Sequence, residues 1–92
     1  MKMTSIYKVG AEVVCPDGAK YGEKVNEISG VIEQYKRGTP WTPLVKWNYR
    51  HQAYIKISSI ITKEKYNQFV EAGFTDQQIA DYVKMFNGHI YN

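Results

Sequence analysis

Two hydrophobic periods divide the chain. Up to Ile61 apolar and polar residues alternate in short runs broken by turns; from Thr62 the apolar residues recur at spacings of three and four. The first period belongs to half-buried strands and the second to amphipathic helices. Val9, Ala11, Val13 and Cys15 fall on one face of a first strand, and Gly10, Glu12 and Val14 on the other. Pro16-Asp17-Gly18 is a turn signal. Residues 16–27, with two glycines and no clear period, read as a long loop.

A second strand, Val31-Ile32-Glu33-Gln34-Tyr35, follows Ser29-Gly30 and ends in the turn Lys36-Arg37-Gly38-Thr39-Pro40, which presents Trp41 near its tip. A third strand sets Val45, Trp47 and Tyr49 against Leu44, Lys46 and Asn48. After a turn over 48–52, a fourth strand sets Ala53, Ile55 and Ile57 against Tyr54 and Lys56. Ser58-Ser59 and Ile60-Ile61 read as one 3₁₀ turn and a short closing strand. These segments predict a five-stranded antiparallel barrel over about residues 7–61.

The rest predicts a helical hairpin over about 63–87. Tyr66, Phe69 and Val70 share one helical face, and Gly73 ends that helix at the C′ position. Thr75 and Gln78 form a capping box, with Phe74 and Ile79 placed as a hydrophobic staple. Ile79, Val83 and Phe86 give the second helix its apolar stripe, and Asn87-Gly88 ends it. The expected core is Val9, Val13, Val45, Trp47, Ile55, Ile57, Phe69, Ile79 and Val83. Either Val31 or Ile32 completes it, because a bulge at Gly30 would shift that strand by one residue.

Composition narrows the function more than the fold. Ninety-two residues make one domain. A hydrophobic fraction of 43% excludes disorder for most of it. Eight Tyr, two Trp and three Phe are more rings than so small a domain can bury. Tyrosine, with an apolar ring and a polar tip, suits contact surfaces. A net charge of +3 fits an anionic partner. The lone Cys15 excludes an internal disulfide and reads as a small buried hydrophobe, so a reducing cytoplasmic setting is expected. The first residues lack the apolar run of a signal peptide, and no segment reaches the ~20 apolar residues of a membrane span.

No catalytic constellation is present, so the expectation is a binding protein and not an enzyme, without cofactor. His51 falls in a turn and His89 in the tail, a single cysteine excludes a Cys-rich zinc site, and Gly18 and Gly22 lack the context of a phosphate loop. The candidate chemistry is basic and aromatic. Lys36, Arg37, Lys46, Arg50 and Lys56 converge on one side of the expected barrel, with Trp41 and Tyr54 between them. Cations neutralise phosphates and exposed rings stack on bases. Trp47, Tyr49, Tyr35 and Trp41 offer an alternative aromatic cage for a methylated cation. The hairpin has the glycine spacing of a helix-turn-helix, but Phe69 is too large for its close packing, and Asp76 and Asp81 would face phosphates. It reads instead as a buttress or as a docking surface through Gln77, Asp81 and Lys84.

At Tyr7-Lys8-Val9-Gly10, Gly30-Val31-Ile32, Val45-Lys46-Trp47, Tyr54 and Ile60 the spacing resembles SH3-like small barrels of the Tudor and KOW kind. The resemblance covers about residues 7–61. It implies an SH3-like barrel and partners such as nucleic acid, RNA polymerase, ribosomal components or methylated tails. In size and Tyr/Lys-rich composition the chain also resembles small bacteriophage-encoded proteins. Two functional expectations follow: nucleic-acid (DNA) binding through the basic and aromatic barrel face, or protein docking on, and inhibition of, a host enzyme or polymerase complex.

Overall fold

A computed structural model of the chain describes residues 7–25, 27–36, 38–48 and 52–90, the side chains of residues 20, 36, 39, 40 and 87–90 excepted. Five antiparallel strands form one sheet: β1 (Glu12–Val14), β2 (Ser29–Lys36), β3 (Thr39–Trp47), β4 (Gln52–Tyr54) and β5 (Ile61–Thr62), in the order β4-β3-β2-β1-β5. A short helix α1 (Pro16–Lys20) follows β1, and a 3₁₀ turn (Ile57–Ser59) precedes β5. Two helices, α2 (Lys63–Glu71) and α3 (Asp76–Ile90), end the chain.

Strand register decides which residues are buried. Ile32 lies opposite Val45, and both are fully buried; Val31 lies opposite Lys46, and both are exposed. The pairing slips after Ile32, so the extra residue is Glu33 and Gly30 keeps its register. Gly30 has a different task. It lies opposite Trp47, and a Cβ there would stand 2.7 Å from the Lys46 carbonyl oxygen and 3.0 Å from the Trp47 ring. Only glycine lets that ring pack against the strand.

β1 is buried on both faces. Val13 belongs to a core with Tyr7, Ile32, Val45, Trp47, Ile57 and Ile60. Its neighbour Val14 points the other way, into a second core with Ile28, Ile61, Tyr66, Ile79 and Val83. The hairpin is therefore a buttress on the back of the sheet. α2 lies along β1, while α3 lies against α1 and the 3₁₀ turn.

Local chemistry fixes the hairpin. The Thr62 hydroxyl accepts from the Lys65 amide at 3.3 Å and caps α2. At the other end Gly73 takes φ +93°, its amide donates to Val70 and the Phe74 amide donates to Phe69, which together make a Schellman motif. Phe74 and Phe69 meet edge-on at 5.1 Å across it. The predicted capping box is formed reciprocally: Gln78 N donates to Thr75 Oγ1 at 3.2 Å and Thr75 N donates to Gln78 Oε1 at 2.9 Å. The Tyr66 hydroxyl donates to Asp76 Oδ1 at 3.0 Å and ties α2 to the start of α3.

Several expectations are corrected. Val9 is 59% exposed, because Gly10 at φ +92° turns the chain and β1 starts only at Glu12. Residues 16–20 of the expected loop are helical, with Pro16 supplying a helical φ in the first turn. β4 ends at Tyr54, so Ile57 reaches the core from the 3₁₀ turn instead of from a strand. Ile55 and Phe69 are only half-buried, and Phe86 leaves the stripe at 51% exposure. α3 continues through Asn87-Gly88 to Ile90, which puts His89 in a helix.

Candidate functional site

Strand alternation builds an outward row across four strands: Glu12, Val31, Lys46 and Gln52, all exposed. A second row holds Gln34, Leu44 and Tyr54. Tyr54, 48% exposed, is thus the diagonal neighbour of Lys46, at a separation that long side chains span. Two acids on or next to this row are engaged. Glu12 stands 3.7 Å from the Lys63 ammonium, and Glu33 accepts from the Gln52 amide. Lys46 itself has no ion-pair partner among the described residues.

The other expected basic and aromatic residues do not all join this pair. Trp41 is 40% exposed but has the strand parity of Pro43 and Val45, and it lies where the β2–β3 pairing shifts. Lys56 is exposed beyond the end of β4, at the start of the 3₁₀ turn. Arg37, Arg50 and the Lys36 side chain lie outside the described residues. Past the edge of β4, Tyr54 and Trp47 also border an open depression with Tyr21, Asp17, Glu23 and Glu27. Its carboxylates repel phosphate, so any polyanion contact must run on the Lys46 side. The expected cage is not assembled: Trp47 is core at 8% exposure, the Tyr35 hydroxyl donates to the Tyr7 carbonyl, and Tyr49 lies outside the described residues.

The hairpin carries a second surface, aromatic where the sequence pointed to Gln77, Asp81 and Lys84. Phe69 meets Tyr82 edge-on at 4.9 Å, and Tyr82 stacks on Phe86 at 5.5 Å with the rings 7° from parallel. Phe74, Tyr82, Met85 and Phe86 are between 39% and 67% exposed. The signal was the aromatic excess, together with Tyr82, Met85 and Phe86 lying beside the Ile79–Val83 stripe. Of the three docking residues expected from sequence, all exposed, Asp81 borders this patch, Lys84 stands 3.7 Å from Asp17 on α1, and Gln77 lies on α3 next to Gln78, which borders the patch.

Among the described residues no cluster of His, Cys, Asp and Glu could hold a metal ion, and no helix is long and apolar enough to cross a membrane. Tyr66 is a strongly displaced acid. Burial, reinforced by the bonded Asp76 carboxylate, pushes its hydroxyl up to about 12. It sits in the second core and serves the fold. No protein-family model, curated protein or solved structure matches the chain.

Proposed function

We propose that the chain is an SH3-like barrel that binds nucleic acid through the phosphate backbone, with Lys46 and Tyr54 at the centre of the contact. The barrel reading draws support from the meander β2-β3-β4, the return of β5 to β1 and the 3₁₀ turn between β4 and β5. The functional reading rests on one observation: Lys46 is exposed beside Tyr54 without an acidic partner among the described residues, while Glu12 and Glu33 are each held by a neighbour. An unpaired cation beside a ring is suited to a phosphate and its adjoining base.

A gel-shift titration at two salt concentrations tests it. Binding should weaken steeply with salt, and Lys46→Glu should lower the log–log slope by about one. Tyr54→Ala should weaken a single-strand complex by about 1–3 kcal/mol and leave a duplex complex nearly unchanged. No binding at low salt, or binding indifferent to Lys46→Glu, sinks the reading. The exposed rings of the hairpin favour the second reading, a protein contact, which predicts no such salt dependence.

A further inference from the structure

We propose that the aromatic face of the α2–α3 hairpin is a self-association surface, covered by the same face of a second copy of this chain across a two-fold axis. The inference rests on the hairpin being a contact surface and is independent of the nucleic-acid reading. The face has a continuous apolar centre: Phe69 touches both Phe74 and Tyr82, Tyr82 stacks on Phe86, and Met85, the most exposed of the group at 67%, lies beside them. A monomer this small does not ordinarily leave such a cluster in water.

Charge identifies the occupant. On the α2 side the Lys65 ammonium sits 5.3 Å from the centre of the Phe69 ring. On the α3 side Asp81 borders the same patch. One charge of each sign therefore borders the rings, Lys65 from α2 and Asp81 from α3. A uniformly acidic or basic partner would meet one rim with a like charge. A two-fold contact is self-complementary by symmetry: whatever Lys65 meets, its equivalent meets in return. With the two-fold axis running along the face between these rims, each Lys65 faces the other copy's Asp81 and each Asp81 the other copy's Lys65, with the rings between them.

Sedimentation equilibrium of the full chain, at low salt and without nucleic acid, decides it. Over a micromolar to submillimolar range the mass should rise from 10.7 kDa toward twice that value. Met85→Glu combined with Phe86→Glu should hold it at 10.7 kDa. Lys65→Glu should weaken association about tenfold or more, since it brings two like-charge pairs together in the dimer; it leaves the helix intact, because Glu at that position completes a capping box with Thr62. Asp81→Lys should weaken it similarly. An equimolar mixture of these two charge variants should recover wild-type association, because in the mixed dimer every rim pair is again of opposite sign. A chain that stays monomeric throughout, a dimer indifferent to Met85→Glu with Phe86→Glu, or a mixture that fails to recover overturns the proposal. Retention of salt-dependent nucleic-acid binding by a strictly monomeric chain would overturn it while leaving the function proposed above intact.

Discussion

The two cores on either side of β1 are built differently. The sheet-side core is covered all round: Val13, Ile32, Val45, Ile57 and Ile60 are each fully buried, and the large rings of Tyr7 and Trp47 close it. The hairpin-side core is sealed only toward the sheet. Val14, Ile79 and Val83 are buried, but one helical step round α3 the rings of Tyr82 and Phe86 emerge into water. β1, with Val13 facing one way and Val14 the other, joins the two, and Ile60 and Ile61 divide between them in the same way at the start of β5. The aromatic excess of the sequence is thus spent unevenly. The first core uses its rings to close itself, and the second displays them.

The shared strand makes the strongest claim the easiest to break. Ile32→Ala in the first core and Ile79→Ala in the second should each cost about 2–5 kcal/mol, because both side chains are fully enclosed. Both should lower one common unfolding transition, since neither core can lose β1 without exposing the other. Calorimetry that resolves two transitions, with each substitution moving only one of them, would show that the cores are independent and that the hairpin is a separate unit.

Alkaline pH should act on the second core through Tyr66. The Tyr66 hydroxyl, ordinarily near 10, is pushed to about 12 by burial and by Asp76. The folded chain therefore keeps this proton between pH 10 and 12, where the unfolded chain releases it. Stability from this group is fully present below pH 10 and is lost as pH rises toward 12, by at most about 2 kcal/mol once partial solvent screening is counted. Tyr66→Phe should cost about 0.5–1.5 kcal/mol at neutral pH through the lost bond to Asp76. Its stability should then fall less steeply than wild type between pH 10 and 12. Denaturant melts across that range provide the comparison. Parallel curves for the two proteins would mean that Tyr66 titrates freely.

These contrasts also mark what could be read in the sequence. Val13 and Val45 followed from period-two alternation, which left Val31 and Ile32 open until the strand register chose Ile32; the Thr75–Gln78 box and Gly73 followed from chemistry contained within a few residues. Val14 was assigned to the open face because alternation assumes one buried side, and only the packing of the hairpin gives β1 two. Val9 was lost to the left-handed turn at Gly10, which breaks the alternation before the strand begins. The stripe on α3 was found, yet periodicity alone does not tell which flank meets a neighbour, so Phe86 was expected inside. At the candidate site Lys46 and Tyr54 were legible as outward residues of adjacent strands. Trp41 was not, because the register shift between Tyr35 and Lys36 depends on pairing that no local residue announces.

The smallest expected effect sharpens the comparison most. Phe86 is half exposed and, among the described residues, stacks only on another exposed ring, Tyr82. If the hairpin-side core ends at the Ile79–Val83 stripe, Phe86→Ser should change the stability of the isolated chain by less than about 1 kcal/mol, well below the cost of Ile79→Ala. The measurement belongs at low protein concentration, where association contributes nothing to the melt. Binding of an apolar reporter dye to the native protein should fall in the same variant, because Phe86→Ser removes exposed aromatic surface and little buried volume. A cost of several kcal/mol would place Phe86 among the residues that hold the fold. The hairpin side would then be a closed core like its counterpart across β1, and its rings would no longer count as a surface awaiting a partner.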